Sequence, residues 1–208
     1  RVVFVANPNN PTGTLASRAD LIELVNEVPP HVLLVMDEAY IEFLDDPVNL
    51  IPIITAGTKP NLLLMRTFSK IYGLAGTRVG YGIGHPELIA AFEKVRQPFN
   101  LNSLAQAAAL AALDDDEHVR RTRATNFAGV HFLQTEFEKL GIEFVPTAGN
   151  FILLRVGDGA RVFSELQKLG VITRPMAGYQ LPEWLRVSVG TQAENERFLA
   201  GLRRVLGK

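Results

Sequence analysis

Leu62-Leu63-Leu64-Met65-Arg66-Thr67-Phe68-Ser69-Lys70-Ile71-Tyr72-Gly73-Leu74-Ala75-Gly76-Thr77-Arg78 is the stretch that organises the chain. Leu62 to Met65 reads as a buried strand. It runs into two hydroxyls, a lysine, a glycine-punctuated turn and an arginine. A lysine ε-amine forms a Schiff base with an aldehyde. Thr67, Ser69 and Arg78 together suit a phosphate, because hydroxyls donate hydrogen bonds and a guanidinium forks onto the oxygens. An aldehyde that carries a phosphate is pyridoxal phosphate. A solvated lysine beside an ordinary turn is the competing reading of the same residues.

Upstream, Val2 to Ala6 is a short apolar run that reads as a strand buried on both faces. A chain that opens inside a strand is expected to be a piece of a longer one. The run ends in Asn7-Pro8-Asn9-Asn10-Pro11-Thr12-Gly13-Thr14, a tightly specified loop in which Asn10–Pro11 is expected to be cis. Leu21, Ile22, Leu24, Val25 and Val28 fall at helical spacing, with Ser17 as cap and Pro29-Pro30 as stop. His31 to Met36 is a second apolar strand, which delivers Asp37-Glu38-Ala39-Tyr40-Ile41-Glu42-Phe43. Strand, helix and strand of these lengths make a parallel βαβ unit. Ligands of open parallel sheets lie beyond the carboxyl ends of the strands. Asn10, Asp37 and Lys70 each follow such an end, so three separate loops point chemistry at one edge.

Val79 to Gly84 follows the lysine loop too closely for a helical crossover and is expected to run antiparallel. Its three glycines do not form a dinucleotide-binding fingerprint; close packing or bends account for them. Pro86 opens a helix to about Arg96, and Ser103 caps an alanine-rich helix to Leu113. Asp114 to Glu117 reads as a solvated turn and an acidic first helical turn. From His118 a long helix is expected, with Val119, Phe127, Val130, Leu133, Phe137 and Leu140 inward and Gly141 at its end. Strands are expected at residues 142–145, 151–156, 171–174 and 185–189, and helices near 160–169 and 194–206. Thr191 and Glu194 have capping-box spacing for the last helix.

The expected fold class is therefore α/β. Residues 1–113 form part of a mostly parallel sheet flanked by helices, an incomplete large domain. Residues 114–208 form a small α+β domain. A formal net charge of -1 gives no electrostatic case for nucleic acid or an anionic membrane. The absence of cysteine removes disulfides, thiolate zinc sites and cysteine nucleophiles, and is compatible with the cytoplasm. His31, His85, His118 and His131 show no metal-ligand spacing, so no metal site is expected.

NPNNPTGT from Asn7, DEAYIEF from Asp37, TFSKIYGLAGTRVGYGIG from Thr67 and TRPMAGYQLPEWLRVSVGT from Thr173 together resemble the aspartate aminotransferase superfamily of pyridoxal-phosphate enzymes. The likeness covers essentially the whole chain, and within the superfamily it is closest to the histidinol-phosphate aminotransferases. That resemblance implies a homodimeric, cytoplasmic enzyme of histidine biosynthesis that moves an amino group between histidinol phosphate and 2-oxoglutarate. It implies that Lys70 bonds the cofactor and shuttles the substrate proton. Asp37 would pair with the pyridine nitrogen, Asn10 and Tyr40 with the ring oxygen, and Thr67, Ser69 and Arg78 with the phosphate. Arg186 would anchor the substrate's anionic end, with Arg174 and Asn10 as further contacts. Members of the superfamily carry a large additional N-terminal portion, so this chain alone is expected to have negligible activity and to self-associate through an uncovered sheet edge. An amino-acid-phosphate decarboxylase, an aromatic amino acid aminotransferase and a non-catalytic module on the same scaffold stay open as alternatives.

Overall fold

The computed structural model describes residues 1–208, which divide into two compact units. One comprises Arg1–Asn9 and Leu15–Arg120, the other Asn10–Thr14 and Arg121–Lys208. The first unit holds β1 (Val2–Ala6), α1 (Arg18–Glu27), β2 (Leu33–Asp37), α2 (Ile51–Thr55), β3 (Leu62–Thr67), β4 (Gly80–Gly84), α3 (Pro86–Glu93) and α4 (Ser103–Leu113). Its sheet has the order β1-β2-β3-β4, with β1, β2 and β3 parallel and β4 antiparallel to β3. The short link from β3 to β4 thus behaves as its length predicts.

Strand alternation explains the core. Leu34 and Met36 of β2, with Leu62 and Leu64 of β3, pack against Leu21 and Val25 of α1 and Ile54 of α2. Each such side chain taken out of water contributes roughly 1.5–3 kcal/mol. Ser17 caps α1, its hydroxyl accepting from Asp20 N at 3.1 Å. α2 escapes sequence reading because five residues are too few for a helical period to show.

Three local expectations are corrected. β1 is not buried on both faces: it is an edge strand, and Val2, Val3 and Phe4 are 50%, 39% and 72% exposed. An apolar composition reports what a strand can bury, not what lies beside it. Asn102, not Ser103, caps α4, its amide oxygen accepting from Ala105 N at 2.8 Å. Serine and asparagine cap equally well, so the sequence alone cannot choose between neighbours. Met65, at the end of the apolar run, is exposed while Leu62, Leu63 and Leu64 are buried.

The helix α5 (Asp116–Lys139) continues into the second unit, which adds β5 (Phe144–Val145), β6 (Phe151–Arg155), α6 (Gly159–Lys168), β7 (Arg174–Pro175), β8 (Trp184–Ser188) and α7 (Gln192–Leu206). The sheet order is β5-β6-β8-β7 and every pairing is antiparallel. Leu133 and Phe137 of α5, Val162 and Leu166 of α6, and Phe198 and Leu202 of α7 meet Ile152, Leu154 and Leu185 in one core. Thr191 and Glu194 form the anticipated capping box. Phe127, expected inward, is 73% exposed. At about 100° per residue it sits about 120° around the helix from Leu133. The strand expected at 171–174 shrinks to a two-residue ladder, Arg174–Pro175. Pro175 has no N–H to extend it. No helix is long and apolar enough to cross a membrane.

Candidate active site

In the first unit, register fixes which loops share an end of the sheet. Asp37, the last residue of β2, pairs with Ala6 on β1 and Met65 on β3. Thr67 closes β3 two residues later. The loops carrying Asp37 and Lys70 therefore leave the sheet side by side at its carboxyl end. Asp37 Oδ1 accepts from Ala39 N at 3.1 Å, a local turn that fixes the carboxylate. Tyr40 is buried and opens a single 3-10 turn, Ile41–Phe43. The Lys70 ammonium lies 5.0 Å from the centroid of the Tyr40 ring, within cation–π range.

The phosphate-type donors converge on the same loop. Thr67 Oγ1 accepts from Ser69 N at 3.1 Å. Arg78 Nη1 donates to Ser69 Oγ at 3.2 Å and to Ala75 O at 2.8 Å. Arg78 is left-handed, with φ 56° and ψ 47°, a conformation that costs a non-glycine residue roughly 1–2 kcal/mol. Strain of this kind persists where surrounding bonds over-determine it, and the two Nη1 bonds do so here. Gly80, just beyond, has no room for a side chain: a Cβ would lie 2.7 Å from Arg66 O.

Beneath these residues is a layer that sequence reading did not single out. Glu38, next to Asp37, pairs with Arg66, next to Thr67, at 2.8 Å, and both side chains are largely buried. Burial raises the Glu38 carboxyl above its ordinary value, and Arg66 pulls it partly back. Burial also raises Glu42, whose two carboxylate oxygens are buried without a hydrogen-bond partner. The tell-tale signal was present: two opposite charges, each one position from a candidate residue, bordering apolar runs. His118, at the head of the long helix and without metal-ligand spacing in the sequence, has its Nε2 3.0 Å from Ile71 O.

The second unit contains the remaining candidates. Arg186 on β8 donates through Nη1 to Asn10 Oδ1, and its guanidinium carbon lies 5.0 Å from the Phe151 ring centroid. Arg174 on β7 stands directly opposite Arg186 in the ladder. Neither arginine is ion-paired with a carboxylate of this chain. Ala148 N donates to Gly13 O at 2.8 Å, holding the loop that carries Asn10. Gly13 is required there, with φ +79° and a hypothetical Cβ that would collide with the Thr147 side chain. Asn10–Pro11 is cis as expected, and so is Asn7–Pro8. The structure thus gathers Asp37, Tyr40, Thr67, Ser69, Lys70 and Arg78 in one unit and Asn10, Arg174 and Arg186 in the other.

A lysine against a buried tyrosine, a carboxylate at a strand end and a serine joined to an arginine are groups that could hold an aldehyde bearing a phosphate. Consistent with that class, the family model for aminotransferase class I and II matches residues 1–202, and the chain belongs to this family. The histidinol-phosphate aminotransferase of Akkermansia muciniphila is 50% identical over 206 residues, covering 99% of this chain and 56% of that relative. The chain therefore spans little more than half the length of the curated relatives it matches. The crystal structure of histidinol-phosphate aminotransferase from Sinorhizobium meliloti, in complex with pyridoxal-5'-phosphate, superposes with a TM-score of 0.91 at 31% identity. It covers 99% of this chain, which covers 57% of it. L-threonine-O-3-phosphate decarboxylase from Porphyromonas gingivalis also matches, with a TM-score of 0.86 at 25% identity over 100% of this chain and 65% of that one. The mostly parallel, helix-flanked α/β sheet read from the sequence is the fold these structures share with the first unit.

Proposed function

We propose that this chain is part of a pyridoxal-phosphate-dependent aminotransferase that exchanges an amino group between histidinol phosphate and 2-oxoglutarate. The observation that carries this reading is the loop in which Lys70 lies against Tyr40 while Arg78 and Ser69 are already joined. The donor set suits the cofactor. Arg78 has guanidinium donors beyond the Nη1 bonds, the Ser69 hydroxyl accepts from Arg78 and keeps its own hydrogen for a phosphate oxygen, and the Thr67 hydroxyl would turn to one from its long 3.5 Å bond to Val79 O. When bound, pyridoxal phosphate supplies an electron sink for a carbanion at the substrate carbon.

Each protein group then has a defined task. Lys70 would hold the cofactor aldehyde through its amine, and its Nζ would carry the substrate proton. Asp37 holds a proton on the pyridine nitrogen by charge. Tyr40 directs its hydroxyl to the ring oxygen. Asn10 is assigned by the family motif to the same oxygen. Arg186 takes the substrate's anionic end, with Arg174 as a second contact. Two unneutralised guanidinium groups facing each other across a ladder repel, and an anion with two oxygens offsets that repulsion through planar forks. Residues 1–113 would supply part of the large cofactor-binding domain and 114–208 the small domain of a cytoplasmic homodimer.

The likeness to the phosphothreonine decarboxylase supports a second reading, since a lyase would use the same lysine and the same anion contacts. Incubation of the whole protein with histidinol phosphate and 2-oxoglutarate separates the two. Glutamate formation is expected. Carbon dioxide release without glutamate would replace transamination with the lyase, and preference for phenylalanine as donor would give the aromatic aminotransferase. Cofactor binding with no turnover of any donor would leave a non-catalytic module.

A further inference from the structure

The Lys70 loop lies outside the sheet ladders, so its backbone carbonyls need other partners. Phe68 O accepts from Leu74 N at 3.0 Å, and Lys70 O accepts from Gly73 N at 3.0 Å. Both bonds are internal to the loop and set its shape, not its place. Ile71 O is met from elsewhere: His118 Nε2, on the first turn of α5, lies 3.0 Å away. A carbonyl only accepts, so His118 carries its hydrogen on Nε2. The helix turn that carries the imidazole is itself anchored, because the His118 backbone N–H donates to Asp115 Oδ1 at 2.9 Å. It also stands beside the glycine turn, 3.7 Å from where a Gly73 Cβ would be. Ile71 is fully buried, which makes its carbonyl costly to leave unpaired.

We infer that His118 is a positioning residue for Lys70, tethering the lysine loop to the start of α5 through the Ile71 carbonyl. The inference rests on the reading of Lys70 as the cofactor-bonding lysine. Its consequence is specific. Without the tether the loop keeps its internal turn but loses its fixed height over Tyr40, so the amine meets an aldehyde less often in reacting geometry. Glutamine is the informative replacement, since its Nε2 reaches about as far as the imidazole Nε2 and also donates.

The test compares wild type, His118→Gln and His118→Leu in the purified chain with two readouts. The first is amide hydrogen exchange of the peptide spanning residues 68–74, which needs no cofactor. The second is the rate at which pyridoxal phosphate followed by borohydride labels Lys70, relative to Lys59 and Lys94. In His118→Leu, exchange of this peptide is expected to accelerate three- to tenfold, the equilibrium equivalent of one net hydrogen bond, and Lys70 labelling to slow comparably. His118→Gln is expected to stay within about twofold of wild type on both. Unchanged exchange in His118→Leu overturns the tether, as does equal loss in the leucine and glutamine variants with a matching drop in global stability. If wild type shows no selective labelling of Lys70, the cofactor reading fails, and the exchange comparison by itself decides whether His118 holds the loop.

Discussion

Replacing Arg66 with methionine tests the buried layer under the site. Arg66 and Glu38 have side chains only 17% and 4% exposed, with 2.8 Å between Nε and Oε2. Removing one partner of such a pair leaves an uncompensated buried charge and costs roughly 3–5 kcal/mol. The pair between Arg18 and Asp46 is an internal control, with side chains 57% and 89% exposed. Exposed pairs of this kind contribute about 0–1 kcal/mol. Burial already raises the Glu38 carboxyl, with Arg66 opposing it. A group whose folded pKa lies above its unfolded value binds more protons when folded. Its effect on stability is therefore most favourable below the unfolded value of 4.5 and is lost as pH rises through the folded one. Arg66→Met removes the opposing charge, so the loss should deepen and extend to higher pH. Urea denaturation at pH 5 and pH 8 is the assay. Arg66→Met is expected to be hit far harder at pH 8, and Glu38→Gln in the same chain to recover part of the deficit. Equal losses at both pH values, or no recovery in the double variant, would refute the reasoning.

Other substitutions follow from the same geometry. Glu42→Gln is expected to favour the first unit more at pH 8 than at pH 4.5, since burial raises the Glu42 carboxyl and makes its charged form the costly one; denaturant midpoints at both pH values check it. Asn195 is buried and exchanges two hydrogen bonds with Gly190, at 2.9 and 3.0 Å. Asn195→Ala should therefore cost roughly 2–3 kcal/mol in thermal or urea unfolding. Thr191→Ala breaks the capping box and should cost about 1 kcal/mol. Arg186→Gln in the whole protein should raise KM for an anionic donor at least about tenfold while leaving Lys70 labelling by pyridoxal phosphate unchanged.

The parts legible in the sequence were those carried by local chemistry. Ser17, Thr191 and Glu194 announce helix starts because a cap needs only its own next few residues. The βαβ unit followed from Val2–Ala6, Leu21–Val28 and His31–Met36, and the reversal into β4 from the shortness of the link. What stayed hidden depended on distant neighbours. The exposure of Phe4 reflects its edge position, and that of Phe127 its place about a third of a turn around α5 from Leu133. The Glu38–Arg66 pair joins residues 28 apart, and the His118–Ile71 bond joins residues 47 apart. No periodicity encodes such pairings. They exist because two strands align in register and because a helix begins beside a loop.

Covalent trapping of the cofactor tests the central claim most directly. The purified chain is mixed with pyridoxal phosphate, reduced with borohydride and digested, and the modified peptide is identified by mass spectrometry. The account predicts a single dominant adduct on Lys70, with Lys59, Lys94, Lys139 and Lys168 labelled only weakly. An even spread over the exposed lysines, in this chain and again in the whole protein, would contradict it.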